Sequence, residues 1–354
     1  MGAHYAAMHH KIPVTLATNL GYLVSRTSAH TYAMETLLNI AAIVIGTALL
    51  AWGADRFIDG AASIAKTLNV PSLLIGLTLV AMGTSAPEIL VSAVAAVQGN
   101  TGLAIGNALG SNITNIGLVI GLTAIVVPIT VRSKILRNEM PILAIVSLLA
   151  AYLLWDKILS LYDAYMLLGG LILLLAWLAW TGIKGEDSEL TDSESENFNL
   201  PVGKATVLFI IGMICLLGGS QLLVWGAVNI ATELGVSDTV IGLTIVAFGT
   251  SLPELAASLG GALKKEHDIA IGNVVGSNLF NLLAVLGVAG AITPAAVDDS
   301  VISTDIPLML VLTAALIVMS IGIKRQGRIN RFEASLLLVG WLGWQAWTWT
   351  GAMA

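Results

Sequence analysis

The sequence predicts an all-α polytopic membrane protein, with about ten transmembrane helices in two inverted-topology repeats of five. Composition, one internal repeat and the placement of charge lead there. Of 354 residues, 56% are hydrophobic and 11% charged, and the mean hydropathy of +0.88 lies far from that of soluble domains. Apolar runs of roughly 18–25 residues recur along the chain, the length that crosses a bilayer. The formal charge of −6 therefore says little about partners, and nothing points to nucleic acid. The single cysteine, Cys215, lies in an apolar run, has no disulfide mate in the chain and reads as a small buried residue.

The repeat is the strongest signal. Residues 76–115 and 242–281 align without gaps at an offset of 166, with 20 of 40 positions identical. Each copy has Gly-Thr-Ser-x-Pro-Glu and then Gly-Asn-x-x-Gly-Ser-Asn-x-x-Asn. Each sets a glutamate, Glu88 or Glu254, in an apolar segment. A charge at bilayer depth costs about 3 kcal/mol on insertion scales, so it marks a functional position. Two in matching repeats point to a cation site between the halves of a transporter.

Spans are expected at 37–60, 73–97, 102–128, 140–155, 164–182, 204–232, 239–263, 269–292, 306–323 and 334–350. The match of Gly60-Ala-x-x-Ile-Ala to Gly226-Ala-x-x-Ile-Ala carries the repeat back into the first and sixth spans. The expected organisation is a doubtful or disordered extension over 1–33, with Met34 as the natural start, and a first repeat over 34–183. An acidic linker over 184–203 and a second repeat over 204–354 complete it. The linker, Gly185 to Glu196, is highly charged and poor in apolar residues, hence solvated. It lacks the glycine and final glutamate of a calcium-binding EF-hand loop. His9 and His10, in the extension, read as tail residues and not as metal ligands.

Assigning alternate loops to one side collects 13 of the 16 lysines and arginines there, at 56–66, 132–137, 184–204, 264–265 and 324–331. That side is cytoplasmic by the positive-inside rule, so both termini face out. An odd number of spans per half makes the two copies run in opposite directions, which puts a binding site near the midplane at their interface.

The motif reads chemically. On a helix Thr84, Ser85 and Glu88 share a face, as do Thr250, Ser251 and Glu254. Pro87 and Pro253 lack a backbone N–H and are expected to free carbonyls near Ala81 and Ala247. Ser111 with Asn115, and Ser277 with Asn281, are spaced i, i+4 in the next span. Two carboxylates, hydroxyls, amide oxygens and backbone carbonyls suit calcium, which takes 6–8 oxygens, and can hold sodium. No cysteine or histidine stands near, which argues against zinc or copper. Gly106 with Gly110, and Gly272 with Gly276, are expected to permit close helix packing. Trp341, Trp344, Trp347 and Trp349 are expected to anchor the last helix at the membrane interface.

The two copies of Gly-Thr-Ser-x-Pro-Glu followed by Gly-Asn-x-x-Gly-Ser-Asn resemble the alpha repeats of the calcium/cation antiporter superfamily, the sodium/calcium exchangers. The resemblance spans 35–350, and the short linker is like that of its prokaryotic members. It implies ten helices, alternating access and exchange of calcium against sodium. It also implies roles: Glu88 and Glu254 shared between calcium and sodium, with Thr84 and Thr250 on calcium. Ser85, Ser251, Ser111 and Ser277 fall to flanking sodium sites, Asn115 and Asn281 to the centre, and the Ala81 and Ala247 carbonyls assist. Several exchangers carry an aspartate where this chain has Asn281, and two central amides speak against potassium cotransport. The expected partners are calcium, sodium and the lipid bilayer, with no cofactor and no obligate protein partner. The alternatives are exchange of calcium or sodium against protons and, less favoured, a cation channel. The single glutamates, paired across the repeats, do not form a channel's charged ring. No H-E-x-x-H, G-x-S-x-G or cofactor motif suggests an enzyme.

Overall fold

The protein is described by a computed structural model over residues 14–68, 70–131, 133–184, 200–235, 247–321 and 327–353. Most of the described residues are helical. The elements are α1 (Val14–Thr67), α2 (Ser72–Thr84), α3 (Ala86–Val97), α4 (Thr101–Val126), α5 (Ser133–Leu153) and α6 (Leu161–Lys184). After residues 185–199, which hold most of the expected linker and lie outside the described residues, come α7 (Val202–Glu233), α8 (Ala247–Thr250) and α9 (Leu252–Leu263). Then follow α10 (His267–Ile292), α11 (Val301–Ser320) and α12 (Arg331–Met353).

Six of these helices are long and apolar enough to cross a membrane, or seven if the bent pair α2 and α3 counts as one span. The ten expected spans exceed that number for visible reasons. The apolar part of α5 is short, Asn138–Leu153, the seventh expected span begins in residues 236–246, outside the described ones, and α12, over the tenth, is not among the helices that pass. The helix α1 runs through Met34 without a break, so the boundary expected there is not marked in the backbone from Val14 onward. No proline interrupts the chain between Val14 and Thr67.

The sequence suggests helices alone, yet the structure adds two short antiparallel ribbons. Strand β1 (Ile129–Val131) pairs with β4 (Gly327–Ile329), and β2 (Ile158–Leu159) with β3 (Ala295–Ala296). Each joins a loop of one half to a loop of the other. Strands of two or three residues carry no periodicity by which a sequence reveals them.

Burial separates a centre from a rim. In α4 and α10, which carry the Gly-Asn-x-x-Gly-Ser-Asn copies, 78% and 83% of the most apolar window is buried; in α1, α6, α7 and α11 the share is 22–33%. The α1–α7 pair meets backbone to backbone. An added Cβ at Gly46 would lie 2.7 Å from the Gly219 carbonyl oxygen, and one at Gly53 3.0 Å from that of Gly212. One at Gly60 would lie 2.7 Å from the Ala205 carbonyl oxygen, and one at Gly226 2.5 Å from that of Asn39. Rising numbers in α1 face falling numbers in α7, so the two helices are antiparallel. Glycine is required along this seam because any side chain would strike the facing backbone.

Candidate cation site

Each repeat breaks its helix at a serine. Helices α2 and α3 meet at 44° with Ser85 between them, at φ −84° and ψ 4°. Ser251, between α8 and α9, has φ −90° and ψ 3°. Both lie in the sparsely populated bridge region, where a helix loses its regular bonding. Pro87 and Pro253 sit in the first turns of α3 and α9, where a missing N–H costs nothing. Glu88 and Glu254 lie in those same turns, at the helix end that favours negative charge. Both carboxylates are 1% exposed.

The structure brings the two halves together here. Ser85 Oγ donates to Glu254 Oε1 at 3.1 Å. Thr84 Oγ1 lies 3.0 Å from Asn273 Oδ1, to which it donates, and 3.4 Å from Ser277 Oγ. Asn115 Nδ2 donates to Asn278 Oδ1 at 3.0 Å. Ser111 and Asn281 are buried in the same two central helices, and Thr250 ends α8 half-buried. Both central helices adopt a π-helical stretch starting at the expected amide: Asn115–Ile120 and Asn281–Val285. Such widened turns are frequent at functional sites.

Several buried polar atoms have no hydrogen-bond partner: Glu88 Oε2, Glu254 Oε2, Asn112 Oδ1, Asn115 Oδ1, Ser251 Oγ and both amide atoms of Asn281. Leaving such an atom bare costs about 1–3 kcal/mol, more for a charge. Most of these atoms are oxygens, the chemistry that a hard cation satisfies.

Three expectations need correction. The Ala81 carbonyl is not free: it accepts the Ser85 N–H at 2.9 Å. A proline removes the bond to the carbonyl four residues before it, which is Gly83 or Gly249. The Gly249 carbonyl accepts Ser220 Oγ of α7 at 2.6 Å instead. In the second copy the Ser251 N–H goes to the Phe248 carbonyl at 3.2 Å, outside a pairing with Ala247. Trp341 and Trp344 turn toward other helices, not outward as membrane anchors on the rim would. Trp341 is 8% exposed and donates from Nε1 to Thr114 Oγ1 at 3.1 Å, and Trp344 Nε1 donates to Asp305 Oδ1 at 3.1 Å. Their i, i+3 spacing turns both onto the inner face of α12, while Trp347 is 69% exposed. The glycine pairs behave differently. Added Cβ atoms at Gly272 and Gly276 would come within 2.9 and 2.6 Å of α2 carbonyl oxygens, whereas among the described residues Gly106 has nothing within 4 Å and Gly110 only the Trp344 ring.

Four asparagines with no expected role belong to the same cluster. Asn107 Nδ2 donates to the Glu88 carbonyl at 3.3 Å and to Ser92 Oγ at 2.9 Å. Asn273 Nδ2 donates to the Glu254 carbonyl at 3.2 Å and to Ser258 Oγ at 2.9 Å. These are the same two bonds at an offset of 166. Asn112 and Asn278 meet where the central helices cross, Asn112 Nδ2 reaching the Asn278 carbonyl at 3.3 Å. Identity between the copies was the available signal for all four.

Residues 38–184 and 204–350 each match the family described as sodium/calcium exchanger protein. The chain is 49% identical over 306 residues to CaxA of Alkalimonas amylolytica, covering 86% of this chain and 96% of that one. It is 30% identical over 338 residues to the sodium/calcium exchanger MaX1 of Methanosarcina acetivorans, covering 85% and 96%. A solved structure of the sodium-calcium exchanger NCX_Mj, soaked with sodium and without calcium, superposes with a TM-score of 0.74 at 35% identity, covering 87% of this chain and 97% of that one. By family and fold alike, the chain is a member of the sodium/calcium exchanger protein family, an integral membrane transporter and not an enzyme.

Proposed function

We propose that this transporter exchanges calcium against sodium by alternating access, with the ions held between Glu88 and Glu254. The observation that carries this reading is the set of buried, unpartnered oxygens on two carboxylates, two central amides and Ser251, gathered from both halves. Two formal charges balance one calcium ion. Around them Thr84, Thr250, Ser85, Ser111, Ser277, Asn115 and Asn281 supply further oxygens, and the Ala247 carbonyl completes the set, the Ala81 carbonyl being held by the Ser85 N–H.

The halves, 34–183 and 204–354, form two five-helix repeats of inverted topology joined by a cytoplasmic linker over 184–203, with both termini outside. Supporting this are the antiparallel α1–α7 pair, whose glycines recur at the offset of 166, and the two ribbons that cross between halves. An inverted pair places equivalent carboxylates at one midplane level, so one site can open to either side.

The test is radioactive calcium uptake into inverted vesicles with sodium and pH gradients imposed separately. Uptake driven by the sodium gradient is expected. Uptake that follows the pH gradient alone overturns the coupling ion and leaves the fold untouched. For orientation, single cysteines at Gly185 and Ala354 in a Cys215→Ala background should label from opposite sides of the membrane.

A further inference from the structure

The two central amides are equivalent by sequence but not by bonding. Asn115 Nδ2 is committed to Asn278 Oδ1 at 3.0 Å, and Asn115 Oδ1 is buried without a partner. The mirror bond, from Asn281 to Asn112, is absent. Asn112 Nδ2 turns instead to the Asn278 carbonyl at 3.3 Å and to Met309 Sδ at 3.8 Å. Asn281 has no partner on either amide atom. Asn278 Nδ2 also has none, so the Asn278 side chain acts only as an acceptor for Asn115.

An amide has a donor end and an acceptor end of nearly equal shape, and its neighbours decide which way it points. Were Asn115 reversed while Asn278 kept its orientation, its oxygen would oppose Asn278 Oδ1 and its NH2 would be the free end, which repels a cation. We propose that Asn278 is a positioning residue: it holds Asn115 with the amide oxygen presented to the transported cation, while Asn281 remains the adjustable amide. The proposal rests on the cation site described above. Asn278 itself need not touch the ion. It acts as the groups behind a metal's direct ligands do, fixing orientation before the ion arrives. A fixed oxygen favours an ion that needs many ligands at set distances, and a free amide lets the same cavity take a load of different size.

The experiment compares wild type with Asn278→Leu, Asn278→Asp, Asn115→Ala and the Asn278→Leu/Asn115→Ala double variant, in sodium-loaded proteoliposomes. Leucine keeps the shape and deletes the acceptor. Aspartate keeps an acceptor toward Asn115 and replaces the unpartnered NH2 with a second oxygen; the carboxylate it adds attracts a cation and so works against a rise in KM. Asn278→Leu should raise the calcium KM about tenfold, the lower end for loss of such a supporting group, with the maximal rate within about twofold of wild type. Asn278→Asp should stay within about threefold of the wild-type KM. The double variant should be no worse than Asn115→Ala, since Asn278 acts through Asn115. A wild-type KM in Asn278→Leu, equal KM values for leucine and aspartate, or multiplying effects in the double variant would each overturn the proposal. Should the leucine variant fail to insert, the aspartate variant decides alone, a tenfold rise there counting against it. Wild type is read first: if it shows no sodium-driven calcium uptake, the transport reading falls and this proposal with it.

Discussion

The two halves share their glutamate clamps and helix breaks, and differ at their central amides and outer supports. Inside, the match extends to bonding: Asn107 and Asn273 each clamp a glutamate carbonyl and a serine, and each helix breaks at a bridge-region serine. Outside, the second half has contacts the first lacks. Ser220 donates to the Gly249 carbonyl, whereas the equivalent of Ser220 in the first half is Ala54. Lys264, just past α9, pairs with Asp55 at 2.6 Å and with Asp59, both on α1. At the offset of 166 the equivalents are Gln98 in the first half and Gln221 and Trp225 in the second, which carry no charge. The clamps on Glu88 and Glu254 are alike in both copies. What the copies do toward α1 and α7 is free to diverge, and such divergence makes the two faces of the molecule unequal.

The most damaging break in the comparison is at the carboxylates. Glu88→Gln or Glu254→Gln leaves a divalent ion with one countercharge in a buried site, and each should abolish calcium flux while the protein still inserts. Retention of more than about a tenth of wild-type flux in both variants would sink the two-glutamate assignment.

Next come the clamps. Asn107→Leu and Asn273→Leu each strip two acceptors of their donor, a loss of about 1–3 kcal/mol per buried group left bare. Both should lower the unfolding temperature and the flux, and by similar amounts. A loss confined to one half would show that the matched geometry hides unequal roles.

The ion pair sharpens the other side of the comparison. Lys264→Gln gives the second half the residue of the first. The Lys264 side chain is 21% exposed, and a partly exposed pair contributes about 1 kcal/mol. That shifts a two-state balance about fivefold. The ratio of calcium KM values measured from the two membrane faces should change by about that factor. An unchanged ratio means that the pair does not distinguish one facing state from the other.

Smallest is Ser220→Ala, which removes one buried hydrogen bond of about 1 kcal/mol. It should lower stability slightly and leave flux near wild type, as read by thermal unfolding and vesicle uptake. A collapse of flux would mean that Ser220 sets the bend of the second copy.

The repeat, the buried glutamates and the proline-marked breaks were legible because each depends on residues close in the chain. The inward turn of Trp341 and Trp344 was not, since it depends on Thr114 and Asp305, residues far from α12 in sequence. Pro253 showed that some carbonyl loses its donor. Only the packing of α7 shows that Gly249 is the carbonyl and Ser220 its replacement donor. Asn107 and Asn273 were visible as identities, but their clamp appears only when the two helices of each copy are folded together. The short ribbons had no signal at all.

The glycine seam has a mechanical corollary. Its small residues recur every seven positions, at 46, 53 and 60 and again at 212, 219 and 226. At about 1.5 Å per residue, the next register that would mesh lies roughly 10 Å away. Any lesser slip drives side chains into backbone. The pair α1–α7 is thus geared, and a thrust on either helix is delivered to both.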